Sequence, residues 1–174
     1  MTVVLFPGTF DPVHYGHINI AQRAAGLFEK VIIAVYAREQ HNILFSPQER
    51  LALVQETFLD QEKIEVVAYS GLTVQFAKKV GAQAIVRGLR VFSDFEYEFR
   101  MALANHRLEP GIDVIALITN EEHTFLSSTT VREIAALGGD VSSMVPEHVQ
   151  NALKKRFQVL GSNQDIVPLT SLRD

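Results

Sequence analysis

The chain has 174 residues, 47% hydrophobic and 21% charged, and its 16 Lys and Arg against 20 Asp and Glu leave a net charge of −4. That length fits one domain with a full core, and the composition excludes a disordered or collagen-like chain. Slight acidity speaks against duplex-DNA binding, no apolar run approaches the roughly 20 residues that cross a bilayer, and without cysteine there is no disulfide framework or thiolate nucleophile.

The first predicted strand, 3–6, follows no basic stretch and runs straight into a turn, so it does not read as a secretion signal. A cytoplasmic protein is expected. Further strands are predicted at 30–36, 64–69, 84–86 and 114–118, mostly apolar throughout, which suits parallel strands covered on both faces. Helices are predicted near 16–28, 47–59, 72–80, 92–108, 129–137 and 146–157. Two have start signals of the S-x-x-E kind, Ser46-Pro47-Gln48-Glu49 and Ser93-Asp94-Phe95-Glu96. Such alternation implies an α/β fold, an open parallel five-stranded sheet with helices on both faces. Ligands in such sheets bind beyond the carboxyl ends of the strands. Residues 1–157 form the expected domain, and 158–174 lose periodicity and read as a loosely ordered tail.

Between the first strand and first helix lies Gly8-Thr9-Phe10-Asp11-Pro12-Val13-His14-Tyr15-Gly16-His17. Its prolines and glycines make an irregular turn in which Gly8 lets the backbone approach a ligand closely. His14 and His17, three apart at a helix start, share a face where imidazoles can donate to phosphate oxygens. An ordinary loop with two incidental histidines is the plainer reading. A zinc pair would need a third ligand that the sequence does not offer.

After the fourth strand, Arg87-Gly88-Leu89-Arg90 can turn two guanidinium forks toward one phosphate-bearing ligand. The acid- and aromatic-rich helix start beyond it places Phe92, Phe95 and Phe99 at core spacing, while Glu98 can accept from a ribose or adenine donor. After the fifth strand, Ser127-Ser128-Thr129-Thr130 opens a helix whose hydroxyls either cap it or donate to a triphosphate. Arg132, three residues past Thr129, can add a cation there.

The first segment resembles the signature of the nucleotidyltransferase superfamily. With R-G-L-R-x-x-x-D-F-E-Y-E, Asn105 and S-S-T-T-V-R, residues 3 to 157 are similar to the bacterial phosphopantetheine adenylyltransferases. The resemblance implies a Rossmann-like domain, a homohexamer, and transfer of AMP from ATP to 4′-phosphopantetheine. His17, Thr9 and Arg90 would be the catalytic group, with His17 donating to the α-phosphate. Thr9, His41, Thr73, Arg87 and Asn105 would bind the acceptor. Thr9, Phe10, His17, Gly88, Leu89, Arg90, Glu98 and the run His123, Thr124, Phe125, Leu126, Ser127, Ser128 and Thr129 would bind ATP. Mg2+ would ride on the ATP phosphates, with no metal ligands from the protein, and coenzyme A is a candidate feedback ligand. No nucleic-acid or membrane partner is expected.

His41, His14 and the pair His106-Arg107 depart from the family pattern. His41 stands where the family has a lysine bridging the reacting phosphates, so slower turnover or activity skewed to lower pH is expected, with Arg38 as a substitute cation. His14 replaces a small hydroxyl residue, and His106-Arg107 reverses the usual order. Rival readings are a related adenylyl- or cytidylyltransferase with another acceptor, and a non-catalytic sensor of ATP or coenzyme A. A dinucleotide dehydrogenase would need G-x-G-x-x-G after the first strand, which is absent.

Overall fold

The computed structural model describes residues 2–37 and 42–160. His41, Arg38 and all but the first three residues of the expected tail lie outside the described residues. Elements follow in the order β1 (Val3–Gly8), α1 (Tyr15–Leu27), β2 (Lys30–Tyr36), α2 (Pro47–Thr57), β3 (Ile64–Tyr69), α3 (Thr73–Lys79), β4 (Ala84–Leu89), α4 (Phe92–Leu108), β5 (Asp113–Ile118), α5 (Ser128–Ala136) and α6 (Glu147–Leu160). The last helix runs three residues past the expected domain boundary.

Among the described residues the strands form one parallel sheet in the order β3-β2-β1-β4-β5. β1 and β2 are buried on both faces, which explains their unbroken apolar runs. Period-two alternation divides the core. Val4 and Phe6 pack with Ile33, Ile20, Val54 and Leu153 on one face, and Leu5 packs with Ile32, Val74 and Ile85 on the other. The chain reverses its direction of travel across the sheet at β1 and β4, so a crevice opens beyond their carboxyl ends. Both strands are longer than expected there. Pro7 and Gly8 stay in register with Ala34 and Val35, and Arg87 to Leu89 with Ala116 to Ile118.

Two expectations fail in α4. Ser93 does not cap it: the helix starts one residue earlier, and Val91 is the N-cap with no side-chain cap bond. The Ser46 box does form, with the Glu49 N–H donating to Ser46 Oγ at 3.3 Å and the Ser46 N–H to Glu49 Oε2 at 2.8 Å. Nor are Phe92, Phe95 and Phe99 core residues, being 86%, 49% and 53% exposed. No residue of α4 is buried. The rings contact one another instead, Phe92 tilted to Phe95 at 6.2 Å and Phe95 stacked on Phe99 at 5.8 Å between centroids.

Candidate active site

The β1–α1 connection builds the floor. Phe10 takes a left-handed φ of 52°, which tucks its ring under Gly8. A Cβ on Gly8 would lie 2.9 Å from that ring, so glycine is needed here for Phe10 and not only for a ligand. Phe10 is buried, edge-on to Phe6 at 5.7 Å and to His17 at 4.9 Å. It supports the histidine from behind.

His14 is the N-cap of α1, and its N–H donates to His17 Nδ1 at 3.2 Å. An imidazole that accepts at Nδ1 while neutral carries its proton on Nε2, so His17 is held as a donor. Its pKa is pushed down to about 3, by burial first and then by the charges of Arg90 and Arg87. The two rings stack at 3.7 Å, and burial with the His17 charge likewise holds His14 well below the usual imidazole range. Gly16 is required by this pair, since a Cβ there would sit 2.9 Å from the His14 ring.

The end of β4 supplies the cations. Arg87 donates from Nε and Nη2 to Glu98 at 2.8 and 2.5 Å, and from Nη1 to the Pro7 carbonyl at 3.0 Å. Arg90 donates from Nε to Asp94 at 3.1 Å and from Nη1 to the Leu126 carbonyl at 2.6 Å. The sequence offers Glu98 to a ribose or adenine donor; here both its oxygens are on Arg87.

The N-terminus of α5 closes the crevice. Ser127 is the cap, accepting from the Thr130 N–H at 3.0 Å, while Ser128 Oγ donates to the Pro12 carbonyl at 2.9 Å. Arg132 is not a free cation for ligand. Its Nη1 donates to the Asp11 carbonyl and lies 3.3 Å from Asp11 Oδ2. Before this helix come His123, in a short 3-10 turn, Thr124, the exposed Phe125 and the buried Leu126.

Two adjoining cavities result, of about 360 and 280 Å³. They share Pro7, Gly8, Thr9, Arg87 and Glu98. The larger is lined also by Thr73, Asn105, Tyr36 and Tyr69, and the smaller by His17, Gly88, Arg90, Ser127 and Ser128. Expected acceptor residues and expected nucleotide residues therefore fall into separate cavities that meet at Thr9 and Arg87. Phe10, Leu89, the 123–126 run and Thr129 do not line either.

Sequence reading missed the frame behind the site. Asp11 is buried and accepts from the Leu44 and Phe45 N–H groups at 2.7 and 2.9 Å. Arg50 is fully buried and donates to the carbonyls of Phe45, Thr9 and Tyr36 at 3.1, 2.7 and 2.8 Å. The available signal was periodicity, since Arg50, Leu53 and Val54 share the inward face of α2.

The open parallel sheet and its switch-point crevice make the fold Rossmann-like, and the family match that follows makes it that of a nucleotidyltransferase. Residues 5–134 match the cytidylyltransferase-like family. The fold is also that of a Vibrio parahaemolyticus protein assigned as a nicotinate-nucleotide adenylyltransferase, with a TM-score of 0.68, 20% identity, and 88% of this chain and 99% of that one covered. Phosphopantetheine adenylyltransferases of Roseiflexus sp. (strain RS-1) and Caldanaerobacter subterraneus are each 48% identical to it, over 157 and 158 residues. These alignments cover 90% and 91% of this chain and 98% and 99% of those proteins. That of Chloroflexus aggregans is 47% identical over its whole length and 92% of this chain. The chain belongs to the phosphopantetheine adenylyltransferase family.

Proposed function

We propose that this protein transfers AMP from ATP to the phosphate of 4′-phosphopantetheine, giving dephospho-coenzyme A and pyrophosphate. The observation that carries the reading, beside family membership, is the pair of cavities meeting at Thr9 and Arg87. One is flanked by tyrosines, for a pantetheine arm. The other is ringed by His17, Arg90 and the α5 N-terminus, for a triphosphate.

The acceptor's phosphate has a second pKa near 6 and is mostly dianionic at neutral pH, so it attacks without a general base. Its oxygen bonds to the α-phosphorus as the bond to pyrophosphate breaks, and that bond's electrons leave with pyrophosphate. What the protein supplies is alignment and charge stabilisation. His17 Nε2–H donates to an α-phosphate oxygen, and its depressed pKa keeps Nδ1 unprotonated, so the ring stays held by the His14 N–H. Thr9 stands where the two phosphates meet, Arg87 holds the acceptor and Arg90 the triphosphate. ATP enters as its magnesium salt; among the described residues no group of three or more His, Asp or Glu is placed to cage an ion.

Homohexameric assembly fits the exposed aromatic face of α4, which a second copy would cover. Coenzyme A carries the same pantetheine arm and suits the larger cavity as a feedback ligand. A site of action in the cytoplasm follows from the need for ATP.

Pyrophosphate release from magnesium ATP, compared across 4′-phosphopantetheine, nicotinate mononucleotide and glycerol 3-phosphate, tests the reading. Release with phosphopantetheine alone is expected. Release with another acceptor would move the substrate, and ATP binding without release would make the protein a sensor.

A further inference from the structure

Both arginines of the β4 turn are already neutralised by α4. Glu98 takes the Nε and Nη2 edge of Arg87, and Asp94 takes Nε and the backbone N–H of Arg90 at 3.1 Å. The two acids are four residues apart and so share a helix face. Arg87 and Glu98 line both cavities, which puts their ion pair in the common wall.

A guanidinium offers its two-pronged edge to one anion at a time. Glu98 fills the Nε and Nη2 edge, and Nη1 is held by the Pro7 carbonyl. A phosphate monoester entering the larger cavity therefore competes with the carboxylate for the same prongs. Glu98 also faces the smaller cavity, where a nucleotide would bring ribose hydroxyls and an adenine amino group as donors. α4 has no buried residue, and the Glu98 side chain, 15% exposed, is held in the common wall by its ion pair to Arg87.

We propose that Glu98 is an internal stand-in for the acceptor's phosphate, occupying Arg87 until nucleotide fills the smaller cavity and draws the carboxylate across. Glu98 is then a positioning residue that acts through Arg87, and it couples the two substrates. The inference rests on the acceptor assignment above. While Glu98 holds Arg87, apparent acceptor affinity is reduced by the fraction of molecules in which the arginine is free. Simple charge predicts the opposite trend, since two polyanions in adjoining cavities repel.

The test is calorimetric titration of 4′-phosphopantetheine into the full chain, with and without magnesium α,β-methylene-ATP. The wild type is expected to bind the acceptor about tenfold more tightly with the analogue present, an ordinary size for coupling between sites. Glu98→Gln is expected to bind acceptor tightly without the analogue and to gain little from it. Wild-type acceptor binding that is equal or weaker with analogue would overturn the coupling, as would Glu98→Gln weakening acceptor binding in its absence. The wild-type ratio decides the matter by itself if the variant does not fold. Normal analogue binding with no acceptor binding in any state would instead overturn the acceptor assignment, and the coupling with it.

Discussion

His17 can serve as a phosphate donor because three neighbours fix it: the His14 N–H on Nδ1, the Phe10 ring behind it, and Gly8, which leaves room for that ring. Replacing it with alanine removes one aimed donor, a loss of the kind that lowers turnover about 10²–10³-fold. His17→Ala should show that drop in pyrophosphate release while still binding ATP in a filter or calorimetric assay. Gly8→Ala should lower turnover through His17 too, since its Cβ must push Phe10 aside. The same histidines make stability depend on pH. His14 and His17 are depressed in the fold, so between their folded values and about 6.5 the unfolded chain binds more protons. Their contribution is complete above about 6.5 and lost as pH falls, by at most about 1.4 kcal/mol per pH unit for each group. Urea midpoints measured from pH 7.5 to 5 should therefore decline, and less steeply in His17→Gln.

At the scale of elements, α2 and α4 show what the sequence could and could not convey. The Ser46 box was legible because capping is local chemistry, settled within four residues. Ser93 has the same spacing, yet the packing of α4 against β4 and the use of Asp94 on Arg90 start that helix at Phe92. Arg50 was missed because a buried arginine that donates to three carbonyls from three segments leaves no motif. Arg50→Leu strands the Thr9, Tyr36 and Phe45 carbonyls, and chemical denaturation should show a loss of about 3 kcal/mol or more. The motif residues themselves were readable, but their division into two cavities was not. It depends on where α4 crosses the strand ends, as does the pairing of Glu98 with Arg87.

For the whole molecule, alternation implied the open parallel sheet and a site beyond the strands' carboxyl ends, whereas the strand order, with its switch between β1 and β4, came only with the fold. Periodicity put the α4 phenylalanines in a core, and they face outward. Spacing reports which residues share a face and not what covers it. If another copy covers that face, Phe95→Glu with Phe99→Glu should shift the molar mass in light scattering from a hexamer toward smaller species. Far-UV circular dichroism should stay unchanged, because neither ring is buried within the chain.

The central claim is that the α-phosphoryl group, with its adenosine, passes from ATP to the acceptor's phosphate. The most direct measurement follows α-labelled ATP in the presence of magnesium and 4′-phosphopantetheine. Label is predicted in dephospho-coenzyme A, in amounts equal to the pyrophosphate released, and nearly absent with His17→Ala. Label recovered as free AMP, or remaining in ATP while the acceptor is bound, would contradict the account.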